Sequence, residues 1–174
     1  MRDEAAFVEF AEAARGRLRR TAYLLCGDWD QASDHVQEGL IRVYAAWPRL
    51  TRAGREHAYA RKAVVSAFLD HSRRRSSTEV PTEHASNVPS GQDVAESVAV
   101  RHALMSALAD LPPRQRACVV LRYFDDLSVA DTAALLGCSE GTVKSQTSRA
   151  LASLRSRFEG SPIGGLASEG ATPW

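Results

Sequence analysis

Apolar residues recur at steps of three and four along most of this chain, the period of an α-helix with one buried face. Phe7, Phe10, Ala11, Ala14, Leu18, Ala22 and Leu25 mark such a face over 4–26. "CGDWD" interrupts it, with Asp30 placed to cap a second helix over 30–47. Ala32, Val36, Leu40, Val43 and Trp47 line that helix on one side, Asp34, Glu38 and Arg42 on the next, and Pro48 is expected to stop it. "PRLTRAGREH" then reads as a loop. A third helix, over 57–74, carries Tyr59, Ala63, Ala67 and Leu69 and ends in "HSRRR". The pattern lapses in "SSTEVPTEHASNVPSGQD", which has two prolines, three acids and no large aromatic, too little apolar surface for a core. It returns near Val94, with Val98, Leu104, Leu108 and Leu111. "LPPRQ" is a proline-marked start for a helix over Arg114–Tyr123. Ser128 with Asp131 forms a weak capping box for a helix over 128–136, Gly137 ends it, and Ser139 caps the next, over 140–158.

No strand alternation of useful length appears. The expected class is all-α: two small helical domains, 1–75 and 101–158, joined by a flexible acidic linker, 76–100, with a disordered tail, 159–174. The 174 residues allow two such domains, each with a modest core. The N-terminus, "MRDEAAFVEF", is charged and has no apolar signal-peptide core, and no apolar run approaches ~18 residues. A cytoplasmic protein is therefore expected. Cys26, Cys118 and Cys138 stand far apart, odd in number and without a C-x-x-C pair. They read as small buried residues, not as a disulfide framework or a zinc site, and no cofactor is expected.

The formal net charge of +1 changes its meaning when split along the chain. Residues 1–75 hold 14 basic and 10 acidic side chains, and residues 101–158 hold eight and five. Between them, residues 76–100 hold no basic and four acidic side chains. Two mildly basic blocks flanking an acidic spacer suit two modules that face nucleic acid, and a solvated surface gives the same pattern by chance.

"LSVADTAALLGCSEGTVKSQTSRALASLR" places two helices either side of a short turn containing Gly137, the helix-turn-helix spacing. On a helical wheel Val143, Thr147, Ala150, Leu151, Leu154 and Phe158 fall inward. Gly141, Thr142, Ser145, Ser148, Arg149 and Ala152 fall outward, flanked by Lys144 and Arg155. A small, polar, acid-free face can sit in a major groove, with Ser, Thr and Arg toward base edges and flanking cations on phosphates. Few cations mean few phosphate contacts, hence weak binding at physiological salt. Such a helix needs a second site or a larger partner. The alternative is an ordinary helical hairpin with a solvated outer face.

"DLPPRQRACVVLRYFDDLSVADTAALLGCSEGTVKSQTSRALASLR" closely resembles region 4 of sigma-70-type factors of the extracytoplasmic-function (ECF) group. "GDWDQASDHVQEGLIRVYAAWPRL" and "HAYARKAVVSAFLDHSRRR" resemble their region 2. The sequence is closest in character to the actinobacterial SigE-like subfamily, and the likeness spans about 5–158. It implies a non-enzymatic sigma factor that binds core RNA polymerase, through the β′ clamp helices and β flap, and directs it to promoter DNA. It also implies an anti-sigma factor as a regulator, and association with the nucleoid when active. Carried onto matching positions, the polymerase-binding set is Asp34, Gln37, Glu38, Ile41 and Arg42. The minus-ten set is Arg52, Arg55, Tyr59, Arg61, Lys62, Ser66, Arg73 and Arg74, a basic surface with an aromatic suited to an extruded single strand. Tyr59 and Phe68 are equally readable as core. The minus-thirty-five set is Arg122, Thr142, Lys144, Ser145, Ser148 and Arg149. In "VVSAFLD", Ser66 stands where the group commonly has Asn, so the contact assigned to that amide has no amide here. Ser148 is smaller than in many relatives and Gln146 often Arg, which shifts the expected sequence preference.

Rival readings remain. A stand-alone dimeric helix-turn-helix regulator accounts for 101–158 and predicts palindromic half-sites, but leaves the 34–42 face and the first basic block unexplained. A decoy that binds polymerase without starting transcription leaves the outer face of 140–158 without a use. His35, His57, His71, His84 and His102 are scattered, with no nucleophile or phosphate-loop motif beside them, which disfavours an enzyme.

Overall fold

The apolar stripe of the first segment does build a helix, α1 (Glu4–Cys26), which buries Ala11, Ala14, Leu18, Ala22 and Leu25. The computed structural model describes residues 4–76 and 92–159, with 92–97 described by backbone alone. Helices α2 (Trp29–Ala53) and α3 (Glu56–Ser76) complete the first half, and α4 (Gln92–Ala109) opens the second. There follow α5 (Pro113–Val119), a π-helical turn (Val120–Phe124), α6 (Val129–Leu136) and α7 (Glu140–Phe158). All regular structure among the described residues is helical, as the period predicts. Most of the expected linker, and the tail beyond residue 159, lie outside the described residues, and helical backbone already begins at Gln92.

Three details differ from the sequence reading. The cap of α2 is Asp28, not Asp30: its carboxylate accepts from the backbone N–H groups of Asp30 and Gln31 at 2.9 and 2.8 Å. Asp30 itself falls in the first turn, where a negative charge favours the helix dipole. Second, Pro48 does not stop α2. A proline removes one N–H and crowds the preceding turn, but Trp47 and Leu50 on either side of it are buried and hold the helix on course. The Thr51 hydroxyl donates to the Trp47 carbonyl and Arg52 Nε to the Pro48 carbonyl, at 3.1 and 2.8 Å. The helix ends at Gly54, whose φ of 61° is the left-handed conformation glycine adopts freely. The expected loop 48–57 therefore shrinks to a break at Gly54 and Arg55. Third, the helix expected over Arg114–Tyr123 loosens into a π turn after Val119.

The first half packs three long helices around Leu18, Leu25, Val36, Val43, Trp47, Val64, Val65 and Phe68. Phe7 and Phe10 clamp Trp47 at ring distances of 5.3 and 5.2 Å. α2 and α3 cross so closely at Gly39 that an added Cβ would lie 2.7 Å from Val64 Cγ2. The second half has a smaller cluster of its own, Met105, Leu108, Leu111, Val119 and Ala150. Its Ala117, Val120 and Leu121 instead join the core of the first half. Arg116 reinforces this seam: its guanidinium donates to the carbonyls of Leu25, Ala109 and Leu111 and lies over the Phe68 ring at 5.7 Å.

Candidate partner and nucleic-acid surfaces

Three exposed surfaces carry the residues singled out from sequence. The first is on α2. Asp34, Gln37 and Ile41 are exposed at steps of three and four and so share one stripe. Ile41 is 62% exposed, high for so apolar a residue. It borders a groove of about 700 Å³ between α1 and α2, whose apolar lining includes Phe7, Val8, Ala11, Val36 and Leu40. Glu38 and Arg42, next to this stripe, form an ion pair one turn apart, and Arg42 also lies 4.0 Å from Asp70 of α3. The Glu38 carboxylate is thus already partnered within its own helix. The α1 wall of the groove was not singled out from sequence. The signal was Val8, an apolar residue off the buried stripe of α1 and 51% exposed.

His35 lies beneath the α2 surface. It is buried, its Nε2 has no hydrogen-bond partner, and its ring stands 6.2 Å from Phe68 and 5.5 Å from His71. Burial, then the neighbouring His71, holds its pKa below the usual histidine value.

The second surface runs along α3. At about 100° per residue, Arg55, Tyr59, Lys62, Ser66 and Arg73 fall within an arc of about 60°. Tyr59 is outward, 37% exposed, whereas Phe68 is core at 4%. Phe68 is therefore a packing residue, while Tyr59 presents its ring at the surface. Arg52, at the end of α2, is exposed nearby in sequence. Arg73 pairs with Asp70, and Arg74 Nε donates to the Asp70 carbonyl at 3.3 Å. Arg61 is not brought together with this stripe. Its side chain is only 19% exposed and turns toward the second half, with Nε 3.3 Å from Asp125 Oδ2.

The third surface is the outer side of α7. Val143 and Ala150 are fully buried, while Lys144, Ser145, Ser148, Arg149 and Ala152 are exposed. The helix is set by its cap: Ser139 Oγ accepts from Thr142 N at 3.1 Å and lies 2.9 Å from the Thr142 hydroxyl. Ser145 Oγ donates back to the Thr142 carbonyl at 3.0 Å. Arg122 is held by a hydrogen bond to the Leu127 carbonyl. With Lys144 and Ser148 it lines a cleft of about 320 Å³ that also takes in Tyr123, Thr147 and Arg155. Tyr123, 62% exposed, is an apolar neighbour of this face that sequence reasoning passed over.

Two of the three cysteines take the buried packing role expected of them, whereas Cys138, in the turn after Gly137, is only half-buried. Cys26 and Cys118 are buried, and loss of hydration pushes both thiols up to about 11, far from a reactive thiolate at neutral pH. Among the described residues, no helix is long and apolar enough to cross a membrane.

Comparison with known proteins bears on all three surfaces. The family profile "Sigma-70 region 2" matches residues 10–78, and "Sigma-70, region 4" matches 101–154. The chain is 39% identical over 153 residues to the RNA polymerase sigma-E factor of Streptomyces avermitilis, covering 88% of this chain and 85% of that protein. It is 32% identical over 152 residues to the ECF RNA polymerase sigma factor SigM of Mycobacterium tuberculosis, covering 87% and 76%. Among solved structures it resembles the sigma factor RpoE in complex with the anti-sigma factor NepR from Bartonella quintana. The TM-score is 0.72 at 26% identity, over 88% of this chain and 97% of that one.

Proposed function

Because the chain belongs to the sigma-70 family of RNA polymerase sigma factors, in the extracytoplasmic-function group, we propose that it binds core RNA polymerase and directs it to specific promoters. In this reading residues 1–75 act as region 2 and 101–158 as region 4, with 76–100 as the tether and 159–174 as a tail. It works in the cytoplasm as an initiation factor, joins the nucleoid when active, and leaves the chemistry of synthesis to the polymerase. An anti-sigma factor holds it in reserve.

The observation that carries the reading is the coexistence on one chain of two unlike faces. The α2 stripe of Asp34, Gln37 and Ile41, beside an apolar groove, has the make-up of a protein-binding surface, with an apolar centre and a polar rim. Glu38 and Arg42 flank it and set orientation by charge. The α7 face of Thr142, Lys144, Ser145, Ser148 and Arg149, with Arg122 behind it, is small, acid-free and weakly basic. Such a face reads a duplex but binds it feebly alone, and the polymerase supplies the missing affinity. On α3, the stripe of Arg55, Tyr59, Lys62, Ser66 and Arg73, with Arg52 and Arg74 at its margins, suits a melted strand: cations for phosphates and one aromatic for a base.

The test is co-elution of purified protein with core RNA polymerase, wild type beside Glu38→Arg, with circular dichroism to verify folding. Wild type is expected to co-elute, and the charge reversal to abolish it. A folded wild-type protein that fails to bind core polymerase while binding a palindromic duplex tightly would instead establish the stand-alone regulator.

A further inference from the structure

The acid in the turn after the π helix, Asp125, has a fully buried side chain although it belongs to a polar turn. A carboxylate out of water is costly unless its charge and lone pairs are matched. Here every match comes from the first half of the molecule. Arg17 Nε of α1 lies 3.4 Å from Oδ1, and Arg61 Nε of α3 lies 3.3 Å from Oδ2. The Thr21 hydroxyl sits 3.1 and 3.3 Å from the two oxygens, and Arg17 also donates to the Asp125 carbonyl at 3.3 Å. Two guanidiniums and a hydroxyl converge on one anion from across the seam between the halves. With the carboxylate gone, two cations would face each other at the seam.

Given the proposed promoter-binding role, this arrangement does not fit the protein engaged on a promoter. Elements centred near minus ten and minus thirty-five are separated by about 25 base pairs, or about 85 Å along B-form DNA. A packed chain of this length has a radius of gyration of about 16 Å. The α3 stripe and the α7 face cannot span that distance while α5 and the π turn lie against α1 and α3. Engagement therefore requires the halves to part and Asp125 to leave its seat. What remains on the first half is then an exposed pair of arginines beside a hydroxyl, the donor set that recognises phosphate.

We infer that Arg17, Thr21 and Arg61 form an anion seat with two successive occupants: the Asp125 carboxylate in the free, closed protein, and a DNA backbone phosphate once the halves separate. Asp125 stands in for the phosphate, so closure and nucleic-acid binding by the first half compete. Arg61 thereby keeps a place in the minus-ten surface, though it lies off the α3 stripe while the protein is closed.

The test uses the full chain, a short single-stranded oligodeoxynucleotide as probe, fluorescence anisotropy for binding and small-angle X-ray scattering for shape. Asp125→Asn is expected to expand the protein and to bind the oligonucleotide several-fold more tightly. Adding Arg17→Gln and Arg61→Gln to that variant is expected to leave it expanded and cancel the gain. It should also flatten the slope of log affinity against log salt by about 0.7, one phosphate contact on a single strand. An Asp125→Asn protein as compact as wild type overturns the latch. Expansion without tighter binding, or a gain that survives loss of both arginines, overturns the phosphate seat. Should Asp125→Asn not fold, wild type provides the same test: saturating oligonucleotide must expand it, and a complex as compact as the free protein refutes the exchange. None of these readings involves polymerase, so failure of co-elution with core enzyme would count against the sigma function separately.

Discussion

The two halves of the molecule hold their candidate binding surfaces in place by different means. In the first, helices of 23, 25 and 21 residues cross over a core of large side chains, with Leu25, Val43, Val64 and Val65 at 1% exposure or less. In the second, α5 and α6 have only seven and eight residues, too short to be stable alone. Their ends are fixed individually: proline at the start of α5, Ser128 and Gly137 at the two ends of α6, Ser139 at the start of α7. A surface mounted on a deep core tolerates a change at any one end and fails when the core does. A surface mounted on short capped helices shows the reverse sensitivity.

The largest effect should therefore come from Trp47, buried and clamped between Phe7 and Phe10. Trp47→Ala is expected to cost about 3–5 kcal/mol in urea denaturation. Hydrogen exchange should show amides of α1–α3 losing more protection than those of α7. Equal loss in both would mean that the shared seam, not the separate mounting, governs stability. A smaller cost is expected at the α2–α3 crossing. Gly39→Val puts a branched side chain where even a Cβ meets Val64, and overpacking of this kind costs about 1–3 kcal/mol. That outweighs the ~1 kcal/mol or less that replacing glycine in a helix returns. A thermal midpoint at or above wild type would show that the two helices can spread apart at little cost.

The same contrast explains what could be read in advance. Signals confined to a few neighbouring residues were legible: Pro113, Ser128, Gly137 and Ser139 all act where their chemistry predicts. So were the long apolar periods, because a buried face repeats over many turns. Signals settled by distant packing were not. Pro48 is a helix breaker locally, but Trp47 and Leu50 are buried on either side of it. Asp125 stands in the polar stretch "DDLS", where nothing local marks it as buried, and its partner Arg17 lies 108 residues away in the chain. Arg61 counted as one more cation in a basic block, because charge tallies do not say which side of a helix a residue takes. Val8 went unremarked because the groove it lines needs two helices to exist.

A further step down in magnitude tests the capped half directly. Ser139→Ala removes the acceptor for Thr142 N and the hydroxyl beside Thr142 Oγ1. A loss of about 1 kcal/mol is expected. Because this turn sets the start of α7, promoter-duplex binding by the polymerase complex should weaken as well, and Ser139→Asp, which restores an acceptor, should recover both. Weakened binding that Ser139→Asp does not recover would assign Ser139 to DNA contact and not to the cap.

The finest distinction between the halves is their response to acid, through His35 between α2 and α3. Burial first, then the charge of His71 and of Arg74, disfavours its protonated form, while Glu38 and Asp34 on its own helix pull the other way. The net effect is a pKa below the ordinary 6.5 in the folded protein. As pH falls through about 6.5 the unfolded chain therefore takes up a proton before the folded one does, and the unfolded state gains. Stability attributable to His35 is fully present above the ordinary value and drains away below it. Between about pH 7.5 and 5.5 the thermal midpoint of wild type should fall further than that of His35→Leu, which fills similar space without a titrating group. The loss should appear as weakened protection of α2 and α3, with the capped start of α7 unmoved. An equal fall in wild type and variant would place the acid sensitivity elsewhere and leave the α2–α3 crossing indifferent to protonation.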